Sequence, residues 1–465
     1  MTAETAADAA SQAPAQPPGT VAATIRTLLA ERRHGELIAL AERVVAAAPG
    51  NAEAWNLLGV GLRHVGRVRA AIAAHRRALD LAAGNVTAMV NLGTCANELG
   101  APAQAVAWYR EVVARDPSAI AWTHLGAALH AAGDAAAALP AFDAALALDP
   151  AYARAHVERA HALLRLERFE EGWRAFEWRW RLPPGDRPAL PDFASPRWDG
   201  GPLDGPLLVW PEQGFGDTIL CARFLAALRG RVPRVILACK PELWRLFQGL
   251  EGVDDLVPVS AKPPPHAAHV PMMSLPGLTM RAGVAPPPPA RLSVPAEARA
   301  RLAGLIAPGR GGGIDIGIVW SGSVTFKANA SRATALDRFL ALAAIPGIRL
   351  FSLQKGPPAA ELDTPGPRSL IVDLGRHCAD FADTAAAIEL LDLVIMTDSS
   401  VAHLAGSLDR PIWNLLPADP YWLYGPSGAR TTPWYGSMRI FRQARPGDWD
   451  GVFAEAVAAL EKTTS

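Results

Sequence analysis

The sequence has no surplus of charge of either sign. Across 465 residues, 45 Lys+Arg balance 45 Asp+Glu, and charged residues make up only 19%. A neutral chain lacks the cationic excess on which phosphate-backbone binding relies, so a nucleic-acid-coating protein is disfavoured. Cysteine is scarce: Cys95, Cys221, Cys239 and Cys378 stand far apart, with no CxxC pair. That excludes a disulfide scaffold and a thiolate zinc site, and fits a reducing compartment. No uninterrupted apolar run of about 18 residues occurs, so no membrane span is expected. The first 19 residues, MTAETAADAASQAPAQPPG, lack the basic segment and apolar core of a signal peptide. They are expected to be disordered, and the chain is expected to be cytoplasmic. Half of the residues are hydrophobic, and the length suggests two or three domains.

The amino-terminal third repeats itself. Trp55-x-x-Leu58-Gly59 recurs as Met89-x-x-Leu92-Gly93 and Trp122-x-x-Leu125-Gly126, with a degraded copy at His156-x-x-Arg159-Ala160, giving spacings of 34, 33 and 34 residues. A second element, Ala71-x-x-x-His75, returns as Ala105-x-x-x-Tyr109 and Ala138-x-x-x-Phe142, and prolines follow at Pro49, Pro117 and Pro150. The pattern describes a pair of short amphipathic helices per repeat, with small residues where the helices touch and a proline that stops the second. One pair cannot bury its apolar face alone, so several must stack into an α solenoid, here expected over residues 20–182. His124, His130, His156 and His161 lie at helical spacing there and read as packing or groove residues rather than metal ligands.

At the junction, Trp173, Phe176 and Trp180 share one helical face, which predicts a terminal helix capping the solenoid against the next domain. Residues 183–206 are rich in proline and glycine and read as an ordered linker. From residue 207, apolar runs alternate with helical stretches. Expected strands are Leu207–Trp210, Val235–Cys239, Asp315–Trp320, Leu350–Leu353, Leu393–Thr397 and Pro411–Leu415. Strands separated by helices imply parallel α/β sheets. The proline-heavy break at Ala285–Ala290 and the glycines at 309–313 divide the region into two Rossmann-like lobes, 207–300 and 314–460. Ligands in such folds sit outside the carboxyl ends of the strands, and the cleft between two lobes is the default site.

Three loops there carry chemistry. Glu212-Gln213-Gly214-Phe215-Gly216-Asp217 follows the first strand and opens a helix. Gly214 and Gly216 let the backbone approach a ligand. Asp217 either projects into the cleft or caps the helix. Thr397-Asp398-Ser399-Ser400 ends a later strand and opens another helix, whose free amides with two hydroxyls make a phosphate cradle. Asp398 could accept from a sugar hydroxyl, and His403 stands one turn further on. Capping alone would account for Asp398 or Ser399 but hardly for the cluster. The third loop, Val319-Trp320-Ser321-Gly322-Ser323, is followed by Lys327 and Arg332, which either neutralise phosphate or are solvated surface charges. Gln354 and Lys355 end the next strand on the same edge. Asp448-Trp449-Asp450, the one Asp-x-Asp, lies near the tail and is a poor metal site.

Together EQGFGD, VWSGS, SLQKG, DFADTA and DSSVAHLAG resemble bacterial tetratricopeptide-repeat proteins that carry a heptosyltransferase-like GT-B glycosyltransferase domain, a layout similar to the O-linked glycosyltransferases of Ser/Thr. The resemblance covers nearly the whole chain from residue 20. It implies that Asp217 is the catalytic base, that Asp398, Ser399, Ser400 and His403 form the nucleotide-sugar motif, and that Lys327 contacts donor phosphate, although its flanking residues match loosely. No metal or other cofactor is implied besides the nucleotide-sugar donor. Some members are flagellin glycosyltransferases, whose repeats hold flagellin and whose donor is a CMP-linked nonulosonic acid. Two alternatives stand beside this reading: an inactive scaffold, and a transferase acting on a glycan or lipid-linked saccharide.

Overall fold

The computed structural model describes residues 24–25, 27–280, 283–309, 311–326 and 329–464. The amino-terminal 19 residues and Lys327 lie outside the described residues. The chain divides into two compact units, one ending at Ala128 and the other beginning at Leu129.

The first unit is built from antiparallel helix pairs: α1 (His34–Ala47), α2 (Ala52–His64), α3 (Val68–Leu81), α4 (Val86–Glu98), α5 (Pro102–Arg115) and most of α6 (Ala119–Ala131). The recurring residues explain the pairing. Gly59 faces the ring of His75, and a Cβ there would stand 2.4 Å from Cε1; Gly93 meets Tyr109 in the same way, at 2.7 Å from Cζ. Ala71 and Ala105 are wholly buried at the same crossings. Asn51 and Asn85 cap their helices by accepting from the amides of Ala54 and Ala88. Gly66 and Gly100 take left-handed φ of 81° and 66°, closing the turns after α2 and α4. His75 is buried against the Asn56 side chain at 2.8 Å, and its burial pushes its pKa down to about 4. It is a neutral packing residue.

The second unit opens with the remaining repeat helices, α7 (Ala135–Leu148), α8 (Ala153–Arg165) and α9 (Phe169–Phe176), and a 3₁₀ turn at Glu177–Arg181. The repeat helices from Leu129 onward are compact with the α/β half. The reason is aromatic. Trp173 is buried edge-on against Trp422 at 5.2 Å and Trp434 at 6.4 Å between ring centroids, and stands T-shaped to Phe176. Arg179, also buried, reaches Glu212 at 2.9 Å and Ser274 at 2.8 Å. The linker is pinned as well, with the Trp198 amide donating to the His269 carbonyl at 2.8 Å.

Two parallel sheets follow. The first contains β1 (Leu207–Trp210), β2 (Val235–Cys239), β3 (Asp255–Pro258) and β4 (Ala268–Pro271) in the order β3-β2-β1-β4. The second contains β5 (Ile314–Val319), β6 (Ile348–Ser352), β7 (Ile371–Asp373), β8 (Leu393–Thr397), β9 (Ile412–Leu416) and β10 (Met438–Arg442) in the order β10-β9-β8-β5-β6-β7. All pairings are parallel. The six strands expected from the sequence all form. The four that were not expected are β3, β4, β7 and β10, and every one is a sheet edge. Interior parallel strands are covered on both faces and read as continuous apolar runs, whereas edge strands need not be.

Longer helices of this half are α10 (Phe215–Cys221), α11 (Ala296–Ile306), α12 (Phe381–Leu390), α13 (Ser400–Ser407) and α14 (Trp449–Thr464). The lobes meet along α10 and α13, where a Cβ on Gly216 would lie 2.6 Å from Cδ2 of His403. Phe215 packs on Phe381 at 5.0 Å, and Arg245 binds both Asp380 and Asp383.

Candidate active site

Strand order fixes where the loops converge. In the first sheet the connections diverge on either side of β1, and in the second between β5 and β8, so each lobe has its topological switch point at the carboxyl ends of those strands. The Gly214–Asp217 turn follows β1, the Ser321 loop follows β5, and Asp398 follows β8. The three motifs chosen from sequence therefore fall at the two places where a doubly wound fold leaves a crevice.

Asp217 sits in the first turn of α10, whose N-cap is Gly214 with no side chain to offer. The Gly214 amide hydrogen-bonds the Asp217 carboxylate, so part of the capping role is realised. Burial nevertheless raises its pKa to about 6, with further upward pressure from the charges of Glu212 and Asp398. Tyr421 donates its hydroxyl to Oδ1 at 3.4 Å. A carboxylate tuned to near-neutral pH can take a proton and release it again, which a carboxylate at its ordinary value does poorly. Lys240 braces the same turn, donating to the Gln213 carbonyl at 2.8 Å with its ammonium over the Phe215 ring.

Asp398 is buried, and both of its oxygens are held: Oδ1 accepts from Tyr424 at 2.6 Å and Oδ2 from Arg332 at 3.0 Å. Arg332, which the sequence offered as a phosphate partner, is thus tied to Asp398. Ser399 is the N-cap of α13 and accepts from the Val401 amide at 3.3 Å, while Ser400 begins the helix and is half-buried. Of the first amides of α13, Val401 is engaged by the Ser399 hydroxyl and Ala402 by the Ser399 carbonyl; the positive end of the helix dipole still makes this terminus a favourable place for an anion. His403 is buried, with Nδ1 3.0 Å from the Tyr435 hydroxyl, and burial lowers its pKa to about 4. It is a neutral ring against the backbone of Gly216, so its part in the site is contact between the lobes and not charge.

The Ser321 loop is organised from within. Asn329 donates to the Ser321 hydroxyl at 3.0 Å and accepts from the Gly322 amide at 3.0 Å. A Cβ on Gly322 would stand 3.8 Å from Cβ of Ser399, so this loop lies against the turn that opens α13. Gln354 is buried and fully engaged: its oxygen accepts from the amides of Trp320 and Ser321, and its nitrogen donates to the carbonyls of Ser321 and Lys355. Gln354 shapes the loop and offers no free polar atom to a ligand. Lys355 Nζ points to the carbonyls of Gly375 and Cys378.

Sequence reasoning missed Tyr421, Tyr424, Tyr435 and Lys240. The first two belong to Pro420-Tyr421-Trp422-Leu423-Tyr424-Gly425, an aromatic run bounded by Pro and Gly just after β9. That signal was available, since large aromatics in a strand-end turn must pack on something. Among the described residues no cluster of three His, Cys, Asp or Glu is arranged to hold a metal ion, and no helix is long and apolar enough to cross a membrane.

A tetratricopeptide-repeat family model matches residues 62–120 and 123–177. The chain is 26% identical to Protein FlbA of Caulobacter vibrioides over 456 residues, spanning 80% of this chain and 72% of that protein. Among solved structures, MamA is similar at 20% identity and a TM-score of 0.30, over 33% of this chain and 90% of MamA. TTC0263, a TPR protein of Thermus thermophilus, is similar at 18% identity and a TM-score of 0.33, over 36% of this chain and 92% of that one. The periodic helix pairs and the family match agree: the chain carries tetratricopeptide repeats joined to a parallel α/β region of two Rossmann-like lobes.

Proposed function

We propose that the chain is a glycosyltransferase that moves a sugar from a nucleotide-sugar donor to a hydroxyl of a protein acceptor recruited by its repeats. The observation that carries this reading is Asp217. It is a carboxylate in the first helical turn after β1, within reach of the Tyr421 hydroxyl, and burial with the neighbouring charges of Glu212 and Asp398 raises its pKa to about 6. In the transfer, Asp217 accepts the acceptor hydroxyl's proton as that oxygen bonds to the anomeric carbon, and the bond from that carbon to the donor phosphate breaks. The electron pair leaves with the nucleotide phosphate, whose charge the positive amino-terminal end of α13 and the Ser400 hydroxyl stabilise. The resemblance to flagellin glycosyltransferases makes flagellin the acceptor and a CMP-linked nonulosonic acid the donor to try first. The likeness to Protein FlbA, which spans 80% of the chain and so takes in both halves, supports treating repeats and lobes as one functional unit.

The test has two steps. Thermal-shift titrations with CMP, UDP, GDP and ADP should show one nucleotide raising the melting temperature of the wild type but not of Asp398→Ala, because a ligand of the folded state stabilises by mass action. The matching nucleotide-sugar and flagellin should then give an acceptor mass increase of one sugar, abolished in Asp217→Asn. Absence of a shift with all four nucleotides and of transfer from the corresponding sugars would overturn the reading in favour of a binding scaffold.

A further inference from the structure

The loop after β9 is held from two directions. Arg165, the last residue of α8, is buried, with 4% of its side chain exposed, and its guanidinium serves three acceptors outside its own helix. Nη1 lies 2.7 Å from Asp419 Oδ1 and 3.3 Å from the His130 carbonyl, and Nη2 donates to the Pro420 carbonyl. The residues that follow Pro420 are Tyr421 and, one 3₁₀ turn on, Tyr424. Their hydroxyls meet Asp217 of the first lobe and Asp398 of the second. From the sheet side, Arg442 donates to the Tyr424 carbonyl at 2.7 Å, and between the tyrosines Trp422 packs edge-on to Trp173 of α9.

A repeat-region arginine is therefore two residues removed, along one short loop, from a ligand of the candidate base. We propose that Arg165 is a positioning residue for the transfer site: it pins Asp419 and Pro420 so that Tyr421 and Tyr424 hold the carboxylates of Asp217 and Asp398, one from each lobe. This rests on the reading of Asp217 as the base. An ordinary stabilising ion pair needs only a cation at this position. The observed site uses a planar fork that addresses a carboxylate and two carbonyls together, which an ammonium cannot reproduce.

The groups that bear on Asp217 are Glu212, Asp398, Tyr421, Lys240 and Cys221. Those that face Arg165 are Asp419, His130, His161 and Arg442. Of these, Tyr421 is the link between the two sets through the strap. Its hydroxyl donates to the charged form of Asp217 and so favours it. Loosening the strap removes that donor and moves the Asp217 midpoint upward.

The experiment titrates Asp217 directly, by carboxyl infrared spectra of the full chain minus those of its Asp217→Asn counterpart. Arg165→Lys and Tyr421→Phe should each raise the midpoint from about 6, by about half a pH unit, and the double variant should raise it no further. Urea midpoints and circular dichroism establish that each variant is folded; should Arg165→Lys fail to fold, Asp419→Asn, which loosens the same strap, takes its place. In transfer assays Arg165→Ala should lose kcat more than it raises KM, and added guanidinium should restore part of the loss. An unmoved midpoint in both single variants, or shifts that add in the double variant, overturns the proposal. Because the titration needs no donor or acceptor, a wild type inert to every nucleotide-sugar overturns the transferase reading and leaves this test standing.

Discussion

Gly216 lies so close to His403 that a Cβ on the glycine would stand 2.6 Å from Cδ2 and 3.1 Å from Nε2 of the imidazole. This is where α10 of the first lobe meets α13 of the second, one residue before Asp217. The absent side chain sets how near the candidate base comes to α13. Gly216→Ala should therefore push the helices apart, destabilising the chain by about 1–3 kcal/mol. Gly216→Ala combined with His403→Ala should recover part of that loss, since the ring is the obstacle. Urea unfolding of the four proteins measures the coupling; an alanine at 216 that costs nothing shows that the lobes are free to shift.

Asp217→Asn should reduce transfer by about 10²–10⁴-fold, the usual contribution of a general base, with nucleotide binding retained. The activity of the wild type should rise with pH along an acid limb near 6, where Asp217 deprotonates.

Stability should respond in the opposite sense. The folded pKa of Asp217 lies above its ordinary 3.8. Between those values the folded chain binds a proton that the unfolded chain has lost, and stability falls as pH rises through that window. Asp217→Asn removes the penalty. It should raise the melting temperature at pH 7–8, by an amount equivalent to at most about 3 kcal/mol, and change little below pH 4. Melting curves of both proteins from pH 3.5 to 8 check the sign, and a variant less stable at pH 8 contradicts it.

Trp173→Ala tests the join between the last repeats and the lobes. Its ring is buried among Phe176, Trp422 and Trp434, and removal should cost about 3–5 kcal/mol. Since Trp422 lies between Tyr421 and Tyr424, nucleotide-induced stabilisation should weaken as well. An unfolding midpoint within error of wild type would mean that the aromatic cluster does not join the two elements.

Truncations separate recruitment from chemistry, provided the cut respects the compact units. Removing residues 1–117 leaves α6 whole and keeps Arg165, Trp173 and Arg179. This shortened chain should bind nucleotide and fold cooperatively but lose turnover of the protein acceptor. Removing residues 1–182 exposes the core that Trp173 and Phe176 cover, and should abolish nucleotide binding too. A shortened chain that begins at 118 and still modifies the protein acceptor at the wild-type rate would assign acceptor recruitment to the lobes.

Much of this architecture is encoded locally. The 33–34-residue period marks each helix pair, because the small residue at Gly59 or Gly93 and the ring it meets recur at fixed spacing. The interior strands β1, β2, β5, β6, β8 and β9 are legible because burial on both faces demands continuous apolar side chains. The loops that carry Asp217, Ser321 and Asp398 follow from those strands, since a parallel sheet leaves its crevice at the carboxyl ends. Only the tertiary structure decided what these residues meet. Tyr421 is 204 positions from Asp217 and Pro420 is 255 from Arg165, and no local backbone preference encodes contacts at such separations. Burial there raised the pKa of Asp217 and engaged Gln354 and Arg332 within the protein. Each depends on which distant groups exclude water from that place.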